Sequence, residues 1–350
     1  MNDPIPIPSR GLKLFSALTR WALGVLLAFW LILAASWGAL HGWIVPRIAE
    51  FRPALERQAS RAMGLPVRIG HISARSEGLI PTFELEDVVL SDREGREALI
   101  LPRVVAALSP RSLWNLGFQQ LYIERPELEI RRTREGRLRI AGLEIDPASP
   151  GDDRISDWVF SQAELVVASG IVHWSDELRG AETLSLSEVD VVLRNSPRRH
   201  LMRLDGTPPP DWGERFTLMG QFRQPLLSVH RGHWRDWSGQ LYGSFDRVDV
   251  ARLRRQIDLG FEVASGQGAL RLWADVAKGQ FTGAVADVAL SDVNVQFAAD
   301  LEPLALKSVQ GRLGGHRLAG GFDASTTGLQ FLTADGLRWP GAGRGPVRRA

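Results

Sequence analysis

The sequence predicts a mostly β protein carried on one N-terminal membrane helix, and three observations lead there. A 25-residue stretch near the N-terminus holds no Lys, Arg, Asp or Glu. Beyond Pro66 the apolar residues recur with a period of two instead of 3.6. Turn segments centred on Gly with charged neighbours then separate the alternating runs at short intervals.

Composition narrows the classes. The 350 residues carry 42 Lys and Arg against 40 Asp and Glu, a formal net charge of +2, with 44% hydrophobic and 23% charged residues. That is enough apolar material for a sizeable core and argues against a disordered chain. No long block of like charge forms the basic patch that nucleic-acid binding needs, so no nucleic-acid partner is expected. The absence of cysteine removes disulfides, zinc–thiolate sites and cysteine nucleophiles, and is compatible with an oxidising compartment.

Residues 1–20 read as a cytoplasmic N-terminus and residues 21–45, "WALGVLLAFWLILAASWGALHGWIV", as a transmembrane helix. At about 1.5 Å per residue that run spans the roughly 30 Å hydrocarbon core with some tilt. Arg10, Lys13 and Arg20 precede it and Arg47 and Glu50 follow, so the denser positive flank keeps the N-terminus inside. Arg20, Trp21, Trp43 and Arg47 are the expected membrane-flanking residues, the tryptophans sitting in the interfacial belts. The run is too long for the apolar part of a cleaved signal peptide. Residues 46–64 place Ile48, Phe51, Leu55 and Ala59 on one face of an amphipathic helix ending near Gly64. That helix either packs on the first strands or forms a collar whose arginines meet lipid headgroups.

Residues 65–339 form the expected β-rich domain. "FELEDVVLSD" alternates over residues 83–86, "PELEIRR" separates Leu128 and Ile130 from Glu127, Glu129 and Arg131, and "LRLWADV" aligns Leu270, Leu272, Ala274 and Val276. "VNVQFAAD" aligns Val293, Val295 and Phe297 in the same way. In "LSLSEVDVVLRN" the apolar phase shifts from Leu184 and Leu186 to Val189, Val191 and Leu193, which predicts a β-bulge or break. "FELEDVVLSD", "ETLSLSEVDVVL" and "AVADVALSDVNVQF" share an acid, a valine run and a polar turn, a weak repeat suggesting antiparallel meanders laid side by side. Short helices are expected near residues 110–117 and 249–258, and "LDGTPPPDWGERF" reads as a stiff excursion dividing the sheet into two sub-regions. The Gly-, Pro- and Arg-rich residues 340–350 read as an unstructured tail.

A search for chemistry finds no constellation. His230 and His233 would need a turn at Gly232 to converge, with only Asp236 nearby, so no metal site is expected. "GQGALR" and "GAGRGP" lack the Lys-Ser/Thr of a phosphate loop and open no helix. Asp152 with Asp153, and Asp176 with Glu177, are turn carboxylates, and no G-x-S-x-G elbow is present. Trp234 and Trp237 are read as packing at a sheet edge. Neither a catalytic residue nor a cofactor is expected, and the chain does not read as an enzyme.

Three segments carry a family resemblance: "GLPVRIGHISARSEGLIPTFELEDVVL", "LYIERPELEIRRTREGRLRIAGLEI" and "GQGALRLWADVAKGQFTGAVADVALSDVNVQFAADLEPLALKSVQGRLGG". With the short N-terminus and single membrane helix, they resemble the N-terminal part of the YhdP family within the AsmA-like group, over about residues 14–339. The resemblance implies a bacterial inner-membrane anchor with the bulk of the chain periplasmic. It also implies an elongated, twisted antiparallel β-sheet curled into an apolar, taco-like groove that conducts phospholipid between inner and outer membrane. Family members are much longer, so the resemblance implies a shortened chain or a fragment.

The alternation fits that picture, because strands whose dry faces line one concave surface would shelter acyl chains at about 0.8 kcal/mol per buried CH₂. Phe83, Leu85, Leu128, Ile130, Leu270, Leu272, Val293, Val295 and Phe297 are the expected lipid-facing residues. Periodicity equally allows these faces to pack together as a β-sandwich core. Expected partners are membrane phospholipid and the inner membrane. The competing function is a scaffold or outer-membrane assembly factor that holds an outer-membrane or periplasmic protein by strand addition.

Overall fold

A computed structural model describes residues 10–339 and 345–349, apart from 40–41, 44, 76–81, 92–94, 96, 108–118, 141–142, 146–153, 227, 229–231, 257–261, 299 and 319–320. Helix α1 (Arg10–Ala39) contains the apolar window Leu18–Ala39, long and apolar enough to cross a membrane and exposed along its length. It begins and ends earlier than the expected span of residues 21–45. Val45 is buried and starts a 3₁₀ turn (Val45–Phe51) in which Pro46 is the second residue, a position where its missing N–H costs no helical bond. Helix α2 (Arg52–Met63) follows and stops at Gly64, whose φ of 71° and N–H bond to the Ser60 carbonyl form the left-handed cap that glycine favours. The expected amphipathic helix is thus a 3₁₀ turn joined to a true helix.

The strands are β1 (Val67–Arg75), β2 (Thr82–Ser91), β3 (Glu97–Ala107), β4 (Gln120–Glu124), β5 (Glu127–Arg132), β6 (Leu138–Ile140) and β7 (Leu143–Ile145). Helix α3 (Arg154–Ser161) leads to β8 (Glu164–Asp176), β9 (Leu184–Asn195), β10 (Arg199–Thr207), β11 (Phe216–Arg223) and β12 (Ser238–Asp249). Helix α4 (Val250–Gln256) precedes β13 (Glu262–Ala277), β14 (Gln280–Gln296), β15 (Leu304–Leu318), β16 (Gly321–Thr333), β17 (Arg338–Trp339) and β18 (Gly345–Arg349). All join one 18-stranded sheet. From β8 to β16 each strand pairs antiparallel with the next, as a meander. Near the N-terminus β1, β2 and β3 form a second meander, and β4 and β5 both pair with β3 on one side and, parallel, with β8 on the other.

That parallel pair departs from the expected all-antiparallel meander. Its crossover from β5 to β8 carries the β6–β7 hairpin and α3, the kind of long connection that parallel neighbours require. The proline-rich loop is a second departure: Trp212 is buried, its carbonyl accepts the Asp249 N–H at 2.8 Å, and β10 pairs with β11 without interruption. The loop folds back on β12 and divides nothing. The expected helix near 249–258 is α4; the one near 110–117 lies outside the described residues. Gly345–Arg349, expected to be unstructured, forms β18 on the edge of β16, where unpaired backbone groups are on offer.

One irregularity recurs along an oblique line across the sheet. Asp87 in β2, Glu188 in β9 and Asp292 in β14 have φ of 53°, 47° and 52°, and each precedes a buried valine, Val88, Val189 or Val293. Left-handed backbone is tolerated at acidic residues better than at branched ones, and a bulge bends its strand and sharpens the twist. Between β4 and β5, Arg125 (φ 50°) meets the bulge of β8 at Ser169 (φ 54°), and the β12–β13 register shifts between Phe245 and Val248. Beside Asp87, a Cβ at Gly70 would lie 2.9 Å from the Asp87 Cβ, so this crossing point demands glycine. The shared Asp/Glu-Val pattern of the repeats is therefore the sequence of a crease across the sheet.

The N-terminal edge is closed by α2. Glu56 Oε1 accepts the Ile69 N–H and Ser60 Oγ the Val67 N–H, each at 2.8 Å, while Arg52 Nη1 donates to the Gly70 carbonyl at 2.9 Å. Helical side chains satisfy groups that an edge strand would otherwise expose.

Candidate functional site

The register assembles a continuous apolar face. Starting at β1, direct cross-strand neighbours run Ile72, Leu85, Val104, Ile123, Val167 and Val191, and then Leu204, Leu218, Gly243, Leu272, Ala286 and Leu313 on β10 to β15. The row two residues away runs Ala74, Phe83, Ala106, Leu121, Leu165 and Leu193, then Met202, Gly220, Leu241, Ala274, Ala284 and Gly315. At about 4.8 Å per strand the face extends on the order of 60 Å. The opposite face is charged. Arg103 bridges Glu84 and Glu124 at 2.5 and 2.8 Å, and Arg312 holds Asp287 through two bonds of 2.5 and 2.7 Å. Arg103 keeps the Glu124 carboxyl below its ordinary pKa by hydrogen bonding, and Arg312 does the same for Asp287.

The two halves of the dry face are finished differently. Over β1 to β4 and β8 it is a closed core in which Val67, Ile69, Phe83, Val104 and Leu121 pack with Ile48, beneath Phe51, Ala59 and Met63 from the 3₁₀ turn and α2 and Trp158 from α3. At the crease end of β13 to β15, Val263, Val293, Val295 and Leu306 form a second core against Val250 and Ala251 of α4. Helix α4 also reaches β8: Gln256 accepts the Trp174 indole N–H at 2.8 Å and donates to the Glu182 carbonyl at 3.1 Å, so it crosses the dry face beside β9 to β11. Beyond α4 none of the described residues covers the face. There a cavity of about 790 Å³ is walled by Leu272, Phe281 and Leu313 over a floor of Ala274, Ala284, Ala286, Gly315 and Ala324.

The residues expected to face lipid divide among these environments. Leu272 walls the open cavity and is 37% exposed; Leu270 lies two residues along the same face, opposite Phe245 and Val288. Phe83 and Leu85 belong to the same rows, but Phe83 is only 8% exposed and both are enclosed in the closed core. Val293 and Val295 are enclosed in the core beside α4. Leu128 and Ile130 are half-buried on β5 opposite Val172 and Trp174, past the crease. Phe297 is 58% exposed and lies just after β14, which ends at Gln296, so it does not continue that strand's alternation. Of the membrane-flanking residues, Arg20 and Trp21 are exposed on α1, Trp43 stacks edge-on against Phe51 with centroids 6.1 Å apart, and Arg47 is the kink within the 3₁₀ turn.

Of the small floor residues periodicity singled out only Ala274, aligned with Leu270 and Leu272, because it scores Leu and Val above Ala and Gly. Their signal is the alternation itself: in "GAVADVAL", Ala284, Ala286 and Val288 occupy one face with Asp287 on the other. Among the described residues no group of His, Asp and Glu is placed to hold a metal.

No curated protein and no solved structure matches the chain. Residues 10–343, however, match the family model described as YhdP protein, and the chain therefore belongs to the YhdP family.

Proposed function

We propose that the protein is a non-enzymatic phospholipid carrier of the bacterial envelope, anchored in the inner membrane by α1 with its N-terminus inside and its sheet in the periplasm. The observation that carries this reading is the open cavity: an apolar face, already continuous with a closed core, is left uncovered over β13 to β16 and floored with Ala and Gly. Acyl chains laid there replace water on both surfaces, at about 0.8 kcal/mol per buried CH₂, while headgroups stay at the open seam. The cationic flank Arg10, Lys13 and Arg20 supports the orientation of the anchor, and Trp21 and Trp43 suit the two interfaces. Native mass spectrometry of the full chain released from nanodiscs tests the reading. One or more phospholipids retained per chain is the expected result, and a lipid-free, cooperatively folded protein would contradict it.

A second reading rests on the last long strand. On its outer side β16 pairs with β18 through residues 322–326, and among the described residues β18 has no strand on its own other side. A partner strand could add there, from an outer-membrane or periplasmic protein. A stoichiometric protein partner that survives detergent, with no lipid bound, would favour this reading over the first.

A further inference from the structure

Helix α2 spends one face on the sheet and leaves the other bare. Arg52, Glu56 and Ser60 bond the backbone of β1, while Ala59 and Met63 pack on the closed core. At 3.6 residues per turn these five positions share one side of the helix, and Ala54, Arg57, Gln58 and Arg61 share the opposite side. All four are exposed. That side carries two arginines and no acid. Arg57 Nε donates to the Pro53 carbonyl at 3.2 Å within the helix, and among the described residues neither Arg57 nor Arg61 has an ion-pair partner. Arg47, exposed at the kink of the 3₁₀ turn, adds a third cation. The acids of the segment do not cancel them. Glu56 accepts the Ile69 N–H with Arg52 3.9 Å away, which leaves Glu50 as the exposed carboxylate against Arg47, Arg57 and Arg61.

The bare side lies beside the membrane span. The apolar window of α1 ends at Ala39, and Trp43, 55% exposed, follows where an interfacial aromatic belongs. Its ring meets the ring of Phe51, the residue that caps the start of α2. The turn between them is no loose tether, because Val45 and Ile48 are buried and Ile48 is part of the closed core. Helix α2 therefore starts at the level of the interface. Even rising straight from the surface, it would hold Arg57 roughly 8 Å above its first residue, inside the Debye length of about 10 Å. Lying along the surface, it brings both Arg57 and Arg61 to the headgroups. Arginine suits that contact, since its fork of donors matches the oxygens of a phosphate.

We infer that Arg47, Arg57 and Arg61 bind the headgroups of anionic phospholipids in the bilayer that α1 crosses, and that this contact clamps the β1 end of the sheet against the membrane surface. The helix that closes the dry face with one side docks on the bilayer with the other. A cation held near an anionic surface favours docking by a factor of about five at physiological salt, and the factor shrinks as salt screens it. The inference rests on α1 crossing a membrane, whichever way it points, and not on what the cavity carries.

The chain has no cysteine, so a single introduced one can carry a spin label. Full-length Gln58→Cys, labelled between Arg57 and Arg61, and Leu26→Cys, labelled inside the span, are placed in nanodiscs of phosphatidylcholine alone or mixed with phosphatidylglycerol. Collisions of each label with an uncharged, water-soluble nickel complex are then measured. The expected result is a Leu26 label shielded in both bilayers and a Gln58 label whose accessibility falls about fivefold when phosphatidylglycerol is present. That fall disappears in high salt and in the chain that also carries Arg57→Gln and Arg61→Gln, two side chains that make no contact with the sheet. A Gln58 label equally accessible in the two bilayers, or one still shielded in the arginine variant, would overturn the inference while a shielded Leu26 label leaves the anchor and the carrier reading standing. A Leu26 label open to water in both bilayers would overturn the anchor and this inference together.

Discussion

The N-terminal and C-terminal halves of the dry face obey the same alternation and share the same register rows, yet one is a core and the other a cavity. In the first half, Phe83 faces Ala106 and Leu121 beneath α2 and α3. In the second, Leu272 pairs with Ala286 and Ala286 with Leu313, and among the described residues only the cavity lies above them. The difference teaches that an alternating strand specifies a dry face without specifying what dries it. In the first half the chain supplies the cover. In the second, the proposed function has lipid supply it.

Aspartate breaks this comparison most sharply. Phe83→Asp buries a charge in the closed core and removes a large aromatic, so it should unfold the domain or cost at least about 3–5 kcal/mol in urea denaturation. Leu272→Asp, in the open half, should leave the denaturation midpoint nearly unchanged while abolishing lipid retention. Equal loss of stability at the two positions would mean that both halves are closed cores.

Filling gives a smaller effect of the same kind. Ala106→Leu overpacks the closed half and should cost about 1–3 kcal/mol. Ala286→Leu enters empty space between Leu272 and Leu313, should change stability by no more than about 0.5 kcal/mol, and should reduce the lipid bound per chain. The smallest effect belongs to the charged face that both halves share. The Arg103–Glu124 and Arg312–Asp287 pairs lower the carboxyl pKa values in the folded state. Their contribution is therefore present above the ordinary carboxylate value of about 4 and fades as pH falls through the depressed folded values. Glu124→Gln and Asp287→Asn should flatten a slight acid loss of stability below about pH 4, and added salt should shrink the effect in the parent protein.

Much of this was legible in the sequence. The phase shift between Leu186 and Val189 is the left-handed Glu188, and "DVARLRRQID" is α4. What stayed hidden depends on contacts between residues far apart in sequence. Alternation on β5 and β8 gives no sign that they pair parallel, because the choice is made by a crossover of more than thirty residues that stacks α3 on the sheet. Phe83 and Leu272 look alike in their strands, since burial is decided by α2, which comes from another part of the chain. The cluster around the buried His200 is invisible for the same reason: Asn195, His200 and Gln224 meet only once β9, β10 and β11 are in register.

The central claim, that lipid covers the open half of the dry face, is tested most directly by a photo-crosslinking residue placed at two neighbouring positions of β13 in the membrane-embedded protein. At Leu272, inside the cavity, the account predicts a covalent phospholipid adduct on irradiation; at Trp273, on the charged face beneath Arg312, it predicts none. Equal adducts at both positions, or none at Leu272 in a folded protein, would contradict it.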